Sequence, residues 1–178
     1  GVWAPCLTYD NGIFYLAFTD TKRFAGDFKD TPNYYVTATD IKGEWSEPTY
    51  VNSSGFDPSI FHDDDGKKYF INMVWDHRKV RGRNNWLPHK YFGGMVVQEI
   101  DITTGKLLGS AKNVFPGSDI GLSEGPHIYK RNGFYYMVVA EGGTGKDHAA
   151  TFARSESVWG PYEVDPQGPL VTSAHSPT

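Results

Sequence analysis

Short apolar runs alternate with polar turns along the chain, and no stretch keeps apolar residues at the 3.6-residue spacing of an amphipathic helix. The first run, residues 13–18, follows Asn11-Gly12, and Asn-Gly is a strong signal for a type I′ β-hairpin turn. Residues 4–9 are therefore predicted as its antiparallel partner. Residues 34–39 give a third strand, and a short edge segment ends near Val51. These strands form one predicted four-stranded unit.

The same pattern restarts twice, each time at a proline that opens an apolar strand, so that Pro5, Pro58 and Pro126 mark a repeat. Hairpin turns are predicted again after the first strand, at Asp65-Gly66 and Asn132-Gly133. The longer second repeat is explained by one polar, basic insertion over residues 77–90. The remaining predicted strands are 57–62, 68–75, 95–100 and a segment to 114 in the second copy, and 125–130, 134–139, 149–154 and 160–164 in the third.

Four short antiparallel strands per repeat are typical of the blades of a β-propeller. A propeller needs at least about four blades to close its ring, whereas this chain supplies three. We therefore expect an all-β chain that forms part of a propeller, with repeats of about 1–54, 55–120 and 121–178. Open outer faces should make it self-associate. The predicted core residues are Phe14, Leu16, Ile60, Phe70, Ile71, Ile128, Tyr136 and Val138.

Composition narrows the classes of partner. The 178 residues carry a formal net charge of −4 and no run of lysine or arginine, which argues against nucleic acid or an acidic membrane as a ligand. An aromatic content of 15% favours strands and surfaces on which sugars stack. Cys6 is the single cysteine, so no disulfide or cysteine-based metal site is expected, nor any cofactor. The sequence contains no evident signal peptide or membrane span, and we expect a cytoplasmic location.

Two carboxylic acids are the main candidates for chemistry. Asp57 precedes Pro58, and Glu124 lies in a bend framed by glycine and proline, so that both stand at the start of the first strand of a repeat. The first strands of propeller blades line the central axis, and matching positions should point into one funnel. Two carboxyl groups in one cleft would repel and raise one pKa, as a general acid requires. A turn-initiating aspartate and a solvated glutamate are the structural alternatives.

Other motifs are weighed against simpler interpretations. Trp3 and Trp75 are expected at the mouths of the inner strands of the first and second repeats, where an indole can stack on a sugar or simply pack in the core. The run of aspartates at 63–65 lacks the spaced ligands of an EF-hand and is predicted as a hairpin turn. The glycine-rich segment 141–147 fails the phosphate-loop pattern at two positions. The Gly-x-Ser-x-Gly match around Ser123 lacks the strand and helix that flank an esterase nucleophile.

Nearly the whole chain resembles the middle of a glycoside hydrolase family 43 β-xylosidase. That family consists of five-bladed propellers that hydrolyse xylosides or arabinofuranosides with inversion, and no metal or other cofactor is implied. The segments that carry the resemblance are Gly55-Phe56-Asp57-Pro58-Ser59 with His62-Asp63-Asp64-Asp65-Gly66, Ser123-Glu124-Gly125-Pro126-His127, Glu141-Gly142-Gly143-Thr144, His148-Ala149-Ala150-Thr151 and Ala153-Arg154-Ser155.

The resemblance implies roles for five residues. Glu124 would be the general acid, Asp57 would orient it and raise its pKa, and Trp3, Trp75 and Thr144 would line the sugar subsite. The general base of the family is an aspartate in a blade that would precede this chain, and a later arginine and histidine that face the funnel are equally absent from this sequence. We therefore expect the chain alone to show little or no turnover. A sugar-binding or structural propeller fragment is the alternative.

Overall fold

The structure, a computed structural model, describes residues 1–77 and 91–175. The strands of these ranges form three consecutive antiparallel sheets. No helix in the described ranges has the length and apolar character needed to cross a membrane. The first sheet contains β1 (Val2–Asp10), β2 (Ile13–Asp20), β3 (Asn33–Ala38) and β4 (Thr49–Asn52); the second contains β5 (Gly55–His62), β6 (Lys68–Trp75), β7 (Phe92–Asp101) and β8 (Lys106–Phe115); the third contains β9 (Glu124–Arg131), β10 (Phe134–Glu141), β11 (Ala149–Ser155), β12 (Glu163–Val164) and β13 (Val171–Thr172).

Within each sheet the strands follow one another in chain order, as propeller blades require. The predicted all-β architecture of four-stranded antiparallel units is thereby confirmed. The third sheet differs by one strand, because β13 also pairs with β11 beyond the end of β12. Two paired residues are too short a run to leave a pattern in the sequence. Most of the predicted insertion, residues 78–90, lies outside the described residues.

The hairpin turns follow the predicted chemistry. Asn11 and Gly12 have φ angles of 49° and 83°, and Asn132 and Gly133 have φ angles of 52° and 80°. Two consecutive positive φ angles define the type I′ turn, which suits the twist of the flanking strands. The turn at Gly66 is longer, and there the amide of Gly66 donates to the Asp63 carbonyl at 3.0 Å. Local sequence therefore sets all three hairpins.

Two apolar layers hold the three sheets together, one on each face of the second sheet. Alternate residues of β5 serve different layers, because Ile60 packs with Tyr15 of the first sheet and Phe61 belongs to the cluster that contains Met137 of the third. This is why β5 and β6 read as almost continuous apolar runs. The second sheet is buried on both faces, whereas the described residues cover each outer sheet on only one face.

Half of the predicted core residues are correct. Ile60, Phe70, Ile71 and Ile128 are buried, but Phe14, Leu16, Tyr136 and Val138 are only half-buried, so that part of the prediction is wrong. Their neighbours Tyr15, Ala17, Met137 and Val139 occupy the buried faces instead. In β2 and β10 both faces carry apolar residues, and successive side chains point to opposite faces. The sequence pattern therefore did not identify the face that packs on the second sheet.

Two polar contacts, which we call the acid–lysine latches, join neighbouring sheets at the ends of their first strands. Asp10, at the end of β1, accepts a hydrogen bond from Lys68 of the second sheet at 2.5 Å. Asp63, which follows β5, accepts hydrogen bonds from Lys130 at 2.5 Å and from the Tyr135 hydroxyl at 2.7 Å, both in the third sheet. The latches complement the apolar layers with directional contacts.

Candidate active site

A bulge recurs in the first strand of each sheet, and it shapes the site. The strand pairing of β1, β5 and β9 shifts register close to the proline of each strand. The residue just before that proline has a positive φ: 38° at Ala4, 55° at Asp57 and 57° at Gly125. A non-glycine residue pays about 1–2 kcal/mol for the left-handed conformation, and a residue before proline normally stays extended. Asp57 is therefore held in place by its surroundings.

The bulges show that the two acids do not occupy equivalent positions of the repeat. Asp57 is equivalent to Gly125, so the prediction that Asp57 and Glu124 hold matching positions is wrong by one residue. Glu124 instead matches Phe56 and Trp3, one residue earlier in the other two strands. The two acids converge nevertheless, because the backbone amide of Gly125 donates to Asp57 Oδ2 at 3.1 Å. Neighbouring sheets thus contribute one acid each.

A buried polar network holds the backbone of Asp57. Its amide donates to Thr19 Oγ1 at 3.1 Å, and the Thr19 hydroxyl donates to Asn33 Oδ1 at 2.8 Å. Asn33 Nδ2 donates in turn to the carbonyl of Gly55 at 3.2 Å, and both Thr19 and Asn33 are fully buried. A Cβ atom on Gly55 would lie 1.9 Å from the Met73 carbonyl oxygen, so this position requires glycine. The network and the close packing together fix the strained residue.

Burial raises the pKa of both acids. The pKa of Asp57 rises from 3.8 to about 6, with the Gly125 hydrogen bond opposing the effect of burial. The pKa of Glu124 is raised by burial and then by the negative charge of Asp57, and nearby positive charge on His148 and Lys29 opposes both. The upward shift expected for Glu124 is thus confirmed. A carboxylic acid that keeps its proton toward neutral pH is suited to general acid catalysis.

Both candidate tryptophans pack on Phe56, although Trp75 ends β6, the second strand of its sheet, and not the inner strand as predicted. Trp3 meets Phe56, the neighbour of Asp57, edge to face at a centroid distance of 5.5 Å, and Trp75 lies 5.8 Å from the same ring. The Lys29 ammonium sits 4.5 Å from the centroid of the Trp75 ring. Both indoles are half-buried and pack on the apolar layer between the second and third sheets. Their exposed parts offer apolar surface of the kind on which sugar rings stack.

Thr144 lies in the exposed loop between β10 and β11. His148 closes this loop through a hydrogen bond between its Nδ1 and the Gly143 carbonyl, 2.6 Å long. The charge of His148 lowers the pKa of Glu124, which places the loop within electrostatic reach of the acid. The arrangement is a pair of largely buried acids, with aromatic side chains and a polar loop near them.

Comparison with known protein families identifies the family to which the chain belongs. The profile of Glycosyl hydrolases family 43 matches residues 1–178, which is the entire chain. The chain belongs to glycosyl hydrolase family 43. The family resemblance inferred from the sequence segments is thereby confirmed.

Family 43 relatives share both sequence and fold with this chain. Xylosidase/arabinosidase 43B of Humicola insolens is 58% identical over 177 residues, and a beta-xylosidase of Bacillus subtilis is 51% identical over 177 residues. The crystal structure of xylan beta-1,4-xylosidase from Bacillus halodurans superposes with a TM-score of 0.91 at 55% identity. Each match covers 99% of this chain but only 31% or 32% of the relative. The chain thus spans about a third of the length of these relatives.

Family 43 membership leaves the Gly-x-Ser-x-Gly match without a catalytic role, and the structure shows what Ser123 does instead. Its hydroxyl is fully buried and donates to Glu141 Oε1 at 2.5 Å. The serine of an esterase elbow is exposed to its substrate, whereas the Ser123 hydroxyl is buried and bound to a buried carboxylate. The glycine-rich segment that begins at Glu141 likewise forms a hairpin loop. The aspartates at 63–65 form a turn whose first carboxylate binds Lys130 and Tyr135.

The sequence patterns did not identify several residues that contribute to this candidate site. Lys29 and the Thr19–Asn33 pair come from the first sheet, yet they act on residues of the second and third. No local pattern marks such long-range contacts. Glu141 stands in a rejected phosphate-loop match and in a segment that carries the family resemblance, but neither assigned it a role, although an acidic residue at the end of an apolar strand is itself a signal that a buried carboxylate has partners.

Proposed function

We propose that this chain forms the central part of a glycosidase that hydrolyses β-xylosides or α-L-arabinofuranosides of oligosaccharides with inversion. Glu124 protonates the departing glycosidic oxygen, and ionised Asp57 keeps the pKa of Glu124 high and orients its strand. The observation that carries the proposal is the buried pair itself. Asp57 accepts a hydrogen bond from the Gly125 amide, and burial together with the negative charge of Asp57 raises the pKa of Glu124.

Inverting hydrolysis also needs a base. As the proton of Glu124 passes to the glycosidic oxygen, the bond from that oxygen to the anomeric carbon breaks, and a deprotonated water attacks from the opposite face. The base carboxylate stands about 6.5–9.5 Å from the acid in such enzymes. Because the chain spans about a third of its relatives, we assign the base to a part of the protein outside these residues. Trp3, Trp75 and Thr144 contact the sugar in this proposal.

The test uses the full-length protein that carries this chain, with Glu124→Gln. A xyloside with a poor alkoxide leaving group should lose about 10²–10⁴-fold in kcat/KM, the usual contribution of a general acid. A xyloside with an activated aryl leaving group needs less protonation and should lose much less. Glu99→Gln, on the half-buried acid that pairs with Lys67 in the second sheet, is the matched control and should change neither rate.

Asp57→Asn tests the second role. Removal of its negative charge lowers the pKa of Glu124, so Glu124 loses its proton sooner and the basic limb of the pH profile of kcat/KM moves to lower pH. Equal losses on both substrates in Glu124→Gln, with a basic limb that does not move in Asp57→Asn, would refute the assignments. Sugar binding by the full-length protein without turnover would instead favour a binding propeller.

A further inference from the structure

One buried carboxylate near the site is not explained by the chemistry proposed above. Glu141 is the last residue of β10 and has no exposed surface. Its Oε1 accepts hydrogen bonds from the Ser118 amide at 3.0 Å and the Ser123 hydroxyl at 2.5 Å, and its Oε2 accepts one from the Ser118 hydroxyl at 2.5 Å. A buried carboxylate is costly unless such donors satisfy it. The sequence nevertheless keeps this buried carboxylate, and all three of its hydrogen bonds come from one short segment, residues 118–123.

That segment leads directly into Glu124. Ser118 turns the chain back, so that the Gly121 amide donates to its carbonyl at 3.2 Å, and the Gly142 amide donates to the Gly121 carbonyl at 2.8 Å. Leu122 follows with a φ of 52°, a strained conformation for a residue with a side chain. Strain of this kind persists only where the surroundings impose it. The bonds to Glu141 and Gly142 supply that constraint.

Hydrogen bonds to the Glu124 carboxyl group do not set the position of this side chain, because none occurs within residues 1–77 and 91–175. Its backbone pairs with Ala140, the residue before Glu141, next to a shift in strand register. The direction in which the acid points is therefore set by the backbone on either side of it. On the N-terminal side, that backbone is anchored through Ser123.

Glu141 also begins the loop that carries Thr144. Gly142 has a φ of 77°, and a Cβ atom there would lie 2.1 Å from the Asp147 carbonyl oxygen, so the loop closes tightly on the residue after Glu141. A single carboxylate thus ties together the segment before the acid and the base of the loop beside it.

We propose that Glu141 is the positioning residue for Glu124, acting through Ser123 and Ser118. It holds the acid's backbone so that the Glu124 proton points at the glycosidic oxygen, and it keeps the Thr144 loop in register with that acid. This inference rests on the function proposed above, because it assigns Glu141 a part in the same proton transfer.

The test compares Ser123→Ala, Glu141→Gln and Glu141→Ala in the full-length protein on the same two xylosides. Misplacement of a catalytic group by about 1 Å costs about 10²-fold, so Glu141→Ala should lose about that factor on the poor leaving group. Ser123→Ala removes one charge-assisted hydrogen bond and should lose about tenfold there. Both variants should lose no more than about threefold on the activated aryl xyloside, which depends little on the acid. Glu141→Gln keeps the Oε1 acceptor, and the Ser118 hydroxyl, which donates to Oε2 in the parent, can turn to accept from the new amide, so this variant should stay within about threefold of the parent on both.

Ser155→Ala is the matched control, since Ser155 is a buried serine at the far end of β11 and should leave the ratio of the two rates unchanged. If Glu141→Ala does not fold, the rates of Ser123→Ala on the two substrates test the proposal instead. Equal losses on the two substrates in Ser123→Ala, or none, would overturn the proposal. If Glu124→Gln itself fails to separate the substrates, the proposed function fails; if only the Ser123 and Glu141 variants fail to do so, the positioning role alone is wrong.

Discussion

Asp57→Asn should stabilise the protein at neutral pH, which is unusual for a change at a buried, hydrogen-bonded residue. The folded protein holds the Asp57 proton more tightly than the unfolded chain does, since burial raises the pKa from 3.8 to about 6. Well below pH 3.8 the group is protonated in both states and costs nothing. As the pH rises from 4 to 6 the unfolded chain ionises first, so the free energy of unfolding falls, and above pH 6 the penalty is complete.

The size of that penalty follows from the two pKa values. Each pKa unit corresponds to about 1.4 kcal/mol, so the difference between 3.8 and about 6 amounts to about 3 kcal/mol at pH 8. Partial solvent access to Asp57 reduces this figure, and about 2 kcal/mol is the expected gain. The substituted amide stays neutral, tolerates the left-handed φ of 55° and still accepts the Gly125 hydrogen bond. Glu124 also ionises more easily in the variant, which adds to the gain.

Urea denaturation of both proteins between about pH 3 and pH 8 measures this effect. The two free energies of unfolding should agree near pH 3, and the variant should become more stable as the pH rises. Glu47→Gln, at an exposed position between β3 and β4, is the control and should leave the difference between the two curves unchanged. A variant that is less stable at pH 8, or a difference that does not change with pH, would refute the account of Asp57 as a desolvated acid.

Two further predictions concern contacts between sheets and between molecules. Burial raises the pKa of Asp63, but the hydrogen bonds from Lys130 and Tyr135 outweigh it and leave the pKa below its usual value, so the latch stabilises the fold above about pH 4 and loses its effect in acid. Lys130→Met should therefore lower the free energy of unfolding at pH 7 and change it little near pH 2, by the same denaturation assay. The chain should also self-associate through its outer faces, where Leu7 is 48% exposed, and Leu7→Lys should weaken this; light scattering that shows a monomer at every concentration would contradict it.

Local signals predicted the fold well because propeller blades depend on them. The Asn-Gly turns and the prolines at 5, 58 and 126 fixed the repeat without any knowledge of long-range contacts. Which face of a strand is buried depends on what packs against it, and that information lies in other repeats. Leu16 and Tyr136 were assigned to the core because their strands are apolar on both sides, whereas packing on the second sheet selected Tyr15 and Met137.

The site was predicted less completely, for a related reason. Asp57 and Glu124 stood out because prolines and glycines frame them, but the bulge displaced the repeat alignment of one acid by a residue, and a bulge leaves no sequence pattern of its own. Thr19 lies 38 residues before Asp57 and looks like an ordinary strand threonine. Residues of the first sheet that hold Asp57 in place can be recognised only once the sheets are assembled.

The acid–lysine latches bear on how copies of this chain meet one another. Each latch runs in one direction, from an acid near the end of a first strand to a lysine of the next sheet, and so fixes the register between sheets. The third sheet has no acid at the equivalent position, because β9 ends in Arg131. Copies stacked head to tail, third sheet on first sheet, would therefore lack the ion pair that aligns the sheets within the chain. Apolar contact would drive such stacking, but no charge would set its register, and the resulting assemblies should be heterogeneous in size rather than a defined oligomer.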